Sequence, residues 1–129
     1  MILVKRESAL VNNIVMEENL KQLLLKDLCA RLYYGVKASD REEIITIRAY
    51  HPYGVIDDFG IMHNIENIKP YLLPMSSMTD EQKIRSIAIQ DMGPSYYHLL
   101  IDRYNEWHLD YRGLIEKGLA LDATGKDIY

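Results

Sequence analysis

The sequence contains a single cysteine, Cys29, so no disulfide can form within the chain and no zinc site built from several thiolates is possible. No apolar run approaches the roughly 20 residues that a membrane-spanning helix needs. The first residues place apolar side chains ahead of Lys5 and Arg6, the reverse of a secretory signal. These absences predict a cytoplasmic protein that does not enter a membrane. The apolar neighbours of Cys29 predict a buried, unreactive thiol.

The sequence also lacks an excess of basic charge, since 15 basic and 19 acidic residues give a net charge of −4. Nucleic acids and anionic membranes are bound chiefly through basic residues, so neither is an expected partner. The glycine spacings of phosphate-binding loops and the Gly-x-Ser-x-Gly motif of hydrolases are absent. The four histidines do not have the spacing of metal ligands. The sequence therefore predicts no cofactor and no bound metal.

The 129 residues, of which 48% are apolar, suffice for one domain with its own core. Residues 1–16 alternate only weakly and are interpreted as an N-terminal extension, which leaves residues 17–129 as the domain. Apolar residues recur at helical spacing from Leu20 to Leu32 and predict an amphipathic helix that ends near Gly35. The solvent-facing side of this helix is predicted to carry Lys21, Lys26, Asp27 and Arg31.

A change of period predicts a β-hairpin after this helix. Alternating apolar and polar residues over 45–49 indicate a strand, and the sequence HPYG at 51–54 is typical of a tight turn. The returning strand is expected over residues 55–62, where Asp57 and Asp58 indicate either a bulge or an early second turn.

A third extended segment covers residues 65–73. Pro70 and Pro74 predict an edge strand or an exit from the sheet, because proline cannot donate a backbone hydrogen bond. Thr79 and Gln82 form a capping box at the start of a helix. The predicted core-facing stripe of that helix is Ile84, Ile87 and Ala88. The last helix is predicted to pack its stripe against the sheet, and this stripe is Tyr97, Leu100, Ile101, Tyr104, Trp107, His108 and Tyr111. The fold class is α+β, with one small antiparallel sheet (a hairpin or meander) and three helices packed on one face.

Tyrosine is abundant, with ten tyrosines against one phenylalanine. Its apolar ring and polar hydroxyl suit a surface that is partly wet and partly buried, which favours binding of another protein or of a second copy. The same tyrosines can also line the edge of a small core. The residues assigned to a binding surface are Tyr53, Tyr96, Tyr111 and Arg112. The main prediction is a non-enzymatic protein-binding module.

The segment from Trp107 to Arg112 supports an alternative function, that of a metal-assisted hydrolase. A carboxylate can hold an imidazole in one tautomer, so His108 and Asp110 are candidate catalytic residues. Either His63 or the pair Asp57 and Asp58 is the candidate for a further metal or base partner. The competing interpretation is that His108 is a core or boundary residue with one satisfied ring nitrogen. Short motifs of this kind often arise by chance, so the hydrolase is the second interpretation.

Three blocks of sequence carry a resemblance: LKDLCARL at 25–32, IKPYLLPMSSMT at 68–79 and HLDYRGLIEKGLAL at 108–121. In this order they resemble a family of short uncharacterised proteins encoded by phages, prophages and mobile elements of gut bacteria. Leu73 stands where the family pattern has arginine, and Tyr33 where it has proline. The resemblance supplies no activity, cofactor or catalytic residue. It implies a small accessory protein, of phage or prophage type, that works in a bacterial cytoplasm.

Overall fold

Three helices and six strands occupy the described part of the chain. The structure is a computed structural model that describes residues 18–129, and the predicted extension at 1–16 lies outside the described residues. Helix α1 includes residues 18–31, α2 is Asp80–Asp91 and α3 is Tyr97–Glu106. The strands are β1 (Lys37–Asp40), β2 (Glu43–His51), β3 (Gly54–Asp57), β4 (Met62–Asn64), β5 (Ile68–Leu72) and β6 (Leu121–Asp122). This content confirms the α+β class.

The strands form one sheet with the order β4-β3-β2-β1-β5-β6. Neighbouring strands are antiparallel except β5 and β6, which run parallel. Parallel neighbours require a long crossover connection, and here residues 73–120 with α2 and α3 supply it. The predicted small, wholly antiparallel sheet is therefore wrong, because the chain returns after α3 to add a sixth strand.

Pro70 lies in a strand that has neighbours on both sides, although the sequence predicts an edge strand. Pro70 is paired with Ala38 of β1, whereas β6 pairs only with Tyr71 and Leu72. The proline itself therefore has a strand on one side only, which is where its missing N–H is tolerated. The predicted edge position is therefore correct for Pro70 itself, but strand β5 is not an edge strand of the sheet.

Helix α1 packs against the sheet through a stripe that is rotated from the predicted one. Leu24 and Leu28 are buried as predicted, but Asp27 and Arg31, predicted to face solvent, are both 0% exposed. Cys29, predicted to be buried, is exposed. The buried positions of α1 recur at a regular helical spacing. Asp27 and Arg31 can occupy two of these positions because they pair with each other. The other fully or nearly buried apolar members of this core include Val36, Ala38, Ile45, Ile47, Val55, Ile68, Leu72 and Leu114.

The β2–β3 hairpin forms at the predicted turn, and its returning strand is short. Strand β3 ends at Asp57, whose Oδ1 accepts hydrogen bonds from the amides of Phe59 (2.9 Å) and Ile61 (3.0 Å). A turn therefore separates β3 from β4, so the early second turn is the alternative that forms. The irregular register lies instead in β2, between Ile47 and Ala49.

The capping box at the start of α2 forms as predicted. Thr79 Oγ1 accepts a hydrogen bond from the amide of Gln82 at 3.1 Å, and Gln82 Oε1 accepts one from the amide of Thr79 at 3.0 Å. Two amides at the first turn, which have no partner inside the helix, are thereby satisfied.

Helix α3 ends before the position that the sequence predicts. His108 has a φ of 59°, in the left-handed region, and its amide bonds to the carbonyl of Asn105 at 3.1 Å. The next amide, that of Leu109, bonds to the carbonyl of Tyr104 at 2.9 Å. This pair of bonds is the usual end of a helix on a left-handed residue, a position where glycine is commonest. The predicted continuation to Tyr111 is therefore wrong.

A second core lies between α2, α3 and the segment after α3. Leu100, Tyr104 and Leu109 are its buried members, and half-buried side chains pack around them: Leu73, Met75, Met78, Ile89, Trp107 and Tyr111. Tyr97 and Ile101, predicted to face the core, remain 49% and 37% exposed. Since α3 packs against the connecting segments, α1 is the one helix of residues 18–129 that contributes to the core on the sheet. This differs from the predicted single layer of three helices.

Gly54 is expected to tolerate no side chain, because a Cβ there would lie 1.9 Å from the carbonyl oxygen of His63 on β4. We expect Gly54→Ala to lower the free energy of unfolding by about 3 kcal/mol or more, since the two strands must separate. Urea denaturation followed by circular dichroism measures the change. The control is Gly125→Ala, where a Cβ meets open space and only the positive φ of 73° adds strain, roughly 1–2 kcal/mol. Equal losses in the two variants would contradict the close approach of β3 and β4.

Candidate functional site

His63 on β4 lies between two carboxylates, and we call Asp40, Asp57 and His63 the histidine–aspartate cluster. Nδ1 of His63 is 2.5 Å from Oδ2 of Asp40, and Nε2 is 2.7 Å from Oδ2 of Asp57. Both Asp57 and His63 are buried. Because both ring nitrogens are held by carboxylates, the charged imidazole can donate two hydrogen bonds. No nitrogen is then left to act as a base or a metal ligand.

The electrostatics of this cluster favour its charged form. Burial by itself would lower the pKa of His63, but the hydrogen bonds and charges of Asp57 and Asp40 outweigh burial and raise it. The hydrogen bond from His63 lowers the pKa of Asp57, against a smaller opposing effect of burial. Since Asp40 ends β1, Asp57 ends β3 and His63 lies on β4, the cluster joins three strands. Its evident role is to hold this end of the sheet.

A second polar group, here called the arginine cluster, consists of Asp27, Arg31, Tyr111 and Arg112. Arg31 and Asp27 form two contacts, from Nε at 2.8 Å and from Nη2 at 3.1 Å. The Nε atom of Arg112 is 3.4 Å from Asp27 Oδ1, and both guanidinium groups lie over the ring of Tyr111, at 5.2 and 5.0 Å from its centroid. Arg31 Nη2 also donates to the carbonyl of Leu109 at 2.6 Å. The cluster therefore ties α1 to the segment that follows α3.

Asp110 has a structural role in this segment. Its Oδ1 accepts a hydrogen bond from the amide of Leu114 at 2.8 Å, and its Oδ2 accepts one from the amide of Ile115 at 2.9 Å. Both oxygens of this buried carboxylate are therefore committed to the turn that leads to β6. The structure does not join Asp110 to His108 in the hydrogen-bonded pair that the hydrolase interpretation requires.

His108 is held by stacking on Tyr129, with the two ring centroids 3.5 Å apart. Burial, together with the nearby charges of Arg31 and Lys37, lowers the pKa of His108 to about 4, so the ring is neutral near pH 7. The hydroxyl of Tyr129 accepts a hydrogen bond from the amide of Lys37 at 2.9 Å and donates one to the carbonyl of Tyr71 at 2.7 Å. Burial raises the pKa of Tyr129 to about 12. The stacking on His108 and the two hydrogen bonds together hold Tyr129 against β1 and β5.

The four residues assigned to a binding surface lie in three different places. Tyr53 is exposed in the β2–β3 turn and Tyr96 is exposed in the connection between α2 and α3. Tyr111 and Arg112 belong to the arginine cluster and are half-buried. Two of the four assigned residues are therefore exposed, and the other two are packed within the arginine cluster.

Residues 18–129 contain neither a cluster of metal ligands nor a membrane-spanning helix. In that range no three His, Cys, Asp or Glu side chains converge as the ligands of a metal ion. No helix of the same range is long and apolar enough to cross a bilayer. With His63 held by carboxylates and Asp110 by backbone amides, the described residues provide no ligand set for the hydrolase alternative.

Helix α2 exposes its apolar residues and buries a polar one. Ile84 and Ile87 are 68% and 56% exposed, whereas Ser86 is 3% exposed. The Ser86 hydroxyl donates to the carbonyl of Gln82 at 2.8 Å, so its burial leaves no polar atom unsatisfied. The prediction that Ile84, Ile87 and Ala88 face the core is therefore wrong. The side of α2 that carries Gln82, Ser86 and Ile89 packs there instead.

We call Lys83, Ile84, Ile87, Ala88 and Asp91 the outer face of α2, since all five are exposed. Further exposed apolar side chains follow in the same helical hairpin, and these are Met92, Tyr96, Tyr97, Leu99 and Ile101. A concentration of exposed apolar residues on a folded domain is typical of a protein-interaction surface. The hairpin is thus the candidate functional surface. A smaller exposed apolar group, Phe59, Ile61 and Met62, occupies the β3–β4 turn.

The buried ion pair of α1 predicts an asymmetry between single and double substitutions. We expect Asp27→Asn, or Arg31→Met, to lower the free energy of unfolding by about 3–5 kcal/mol. The first change leaves Arg31 without its carboxylate, and the second leaves Asp27 only the longer contact with Arg112. The double variant Asp27→Leu/Arg31→Met removes both charges and should be more stable than either single variant. Urea denaturation measures all three. Additive losses in the double variant would contradict the pairing.

The histidine–aspartate cluster predicts a pH-dependent contribution to stability. The raised pKa of His63 stabilises the fold below its ordinary value of 6.5, and this contribution is lost as pH rises through the folded-state pKa. The lowered pKa of Asp57 stabilises the fold above 3.8 and loses its effect as pH falls through the folded-state value. We therefore expect His63→Gln to be less stable than the unmodified chain by about 1–3 kcal/mol within this window. The difference should shrink above it.

Urea denaturation at a series of pH values tests this expectation. The low pKa of His108 affects both proteins equally, so it cancels in the difference between them. The control is His98→Gln, which replaces an exposed histidine of α3 whose ring contacts a backbone carbonyl and no carboxylate. A constant difference between His63→Gln and the unmodified chain at every pH would show that His63 is not charged in the fold.

Comparisons with protein-family models, with curated proteins and with solved structures find no match for this chain. The geometry of the described residues therefore carries the functional argument.

Proposed function

We propose that this chain is a non-enzymatic protein-binding module and that the helical hairpin of α2 and α3 is its binding surface. The observation that carries the proposal is the reversed amphipathicity of α2, which buries Ser86 and exposes Ile84 and Ile87. In a helix that serves only the fold, apolar residues face the core and polar residues face water.

The energetics make this arrangement informative. Burying an isoleucine side chain is favourable by about 1.5–3 kcal/mol relative to leaving it in water. Ile84 and Ile87 forgo most of this stabilisation in the isolated chain. A partner that covers these two isoleucines recovers this free energy of burial. Binding at the outer face of α2 is therefore favoured by apolar surface that the fold itself does not bury.

The neighbouring chemistry supports binding rather than catalysis. His63 has both ring nitrogens engaged with carboxylates, Asp110 has both oxygens engaged with amides, and His108 stacks on Tyr129. These side chains hold the scaffold, whereas the hairpin exposes a group of apolar side chains. Such a module agrees with the cytoplasmic accessory protein, of phage or prophage type, that the sequence blocks resemble.

Site-specific photo-crosslinking in the cells that encode the protein tests the proposal. A photoreactive phenylalanine analogue at position 87 is expected to form covalent adducts with protein, which mass spectrometry identifies. The matched control places the analogue at position 61, because Ile61 and Ile87 are equally exposed, at 58% and 56%. We expect Ile84→Asp to suppress the adducts at position 87.

The proposal fails if position 87 yields no adduct, or if positions 87 and 61 yield the same adducts in equal amounts. The second result would show that any exposed apolar side chain is labelled. Adducts at position 61 alone would move the binding surface to the β3–β4 turn. Circular dichroism of each variant establishes that its fold is retained.

A further inference from the structure

We infer that the outer face of α2 binds the same face of a second copy of this chain, with the two α2 helices antiparallel and Ile87 at the centre. This inference names the partner of the binding surface and rests on the proposed function. The partner follows from the arrangement of charged and apolar residues along α2, which is complementary to itself.

Residues four apart form continuous rows along the surface of a helix, and helices commonly pack by aligning such rows. Lys83, Ile87 and Asp91 form one row on the exposed side of α2, and Ile84 and Ala88 form part of the row beside it. The central row therefore carries a positive charge, an apolar side chain and a negative charge in succession.

A two-fold axis through Ile87 reverses this row in the second copy. Lys83 of each copy then lies opposite Asp91 of the other, so one interface contains two attractive pairs around a pair of isoleucines. Residues Ile84 and Ala88 of both copies border the same centre and exclude water from it. A surface shaped for an unrelated partner has no need of this reciprocity.

The charges also select one register among the antiparallel alternatives. If the axis passed between Ile84 and Ile87, Asp80 of each copy would lie opposite Asp91 of the other, and like charges would repel. Neither Lys83 nor Asp91 forms an ion pair with another residue in the range 18–129, so both remain available to a second copy. The register centred on Ile87 is the one that uses them.

Charge exchange tests this arrangement on the full chain. Sedimentation velocity and light scattering over about 1 µM to 1 mM cover the range expected for a small interface. Lys83→Asp and Asp91→Lys each turn two attractive pairs into two repulsive ones and should weaken self-association by about 3- to 30-fold. The double variant Lys83→Asp/Asp91→Lys should associate as the unmodified chain does.

Mixing the two single variants provides a second test of the interface. In a mixed dimer each Asp faces a Lys at both positions, so association is expected to return when Lys83→Asp and Asp91→Lys are combined. Ile87→Asp places two carboxylates at the axis and should weaken association by at least about 100-fold. Both charge exchanges suit the helix dipole, with Asp near the N-terminus and Lys near the C-terminus of α2, so the fold should be retained.

The inference is overturned if the chain stays monomeric throughout this range, or if the mixed and double variants associate no better than the single ones. In parallel packing Lys83 would face Lys83 and Asp91 would face Asp91, so neither single charge exchange would weaken self-association relative to the unmodified chain. If the protein is monomeric and position 87 crosslinks to a different protein, the proposed function stands and only the second copy is excluded. If position 87 crosslinks to nothing, both fail.

Discussion

The buried ion pair of Asp27 and Arg31 is the interaction on which the arrangement of this chain depends. Charges that leave water need partners and hydrogen bonds, and here Arg31 obtains them from Asp27 and from the carbonyl of Leu109. The second of these contacts spans 78 positions of sequence. It fixes the segment after α3 against α1, and this segment carries Leu109 in the second core and then continues to β6. One charged residue thus links the core on the sheet with the core between α2 and α3.

Local signals in the sequence predict the elements that depend on neighbouring residues. The hairpin turn at 51–54, the capping box at Thr79 and the helical spacing from Leu20 to Leu32 each act within a few residues, and each appears in the structure. Their chemistry is local because it satisfies backbone groups or fixes backbone angles within one turn. For the same reason the α+β class is predictable from the order of elements.

The parts that the sequence does not predict depend on residues that meet only after folding. The parallel strand β6 requires a crossover through two helices, and nothing in Leu121 itself specifies its neighbour β5. His63 is placed by Asp40, which is 23 residues earlier. Asp27 and Arg31 offered a signal in their spacing of four, since oppositely charged residues at that spacing can pair and enter a core together. His108 occupies the left-handed position at the end of α3, where glycine is commonest. Because this position holds a histidine, the helical spacing in the sequence continues past the true end of the helix.

Helix α2 differs from these cases. It departs from the usual burial of apolar residues and exposure of polar ones, and no distant residue in the range 18–129 causes this departure. The ion pair with Arg31 explains why Asp27 is buried, but no contact among the described residues explains why Ile84 and Ile87 remain outside while Ser86 is inside. Natural sequences keep local preference and global fold in agreement, and they depart from this agreement mainly at functional surfaces. In the two polar clusters each charged side chain has an oppositely charged neighbour. The outer face of α2 is therefore where we propose that a partner binds.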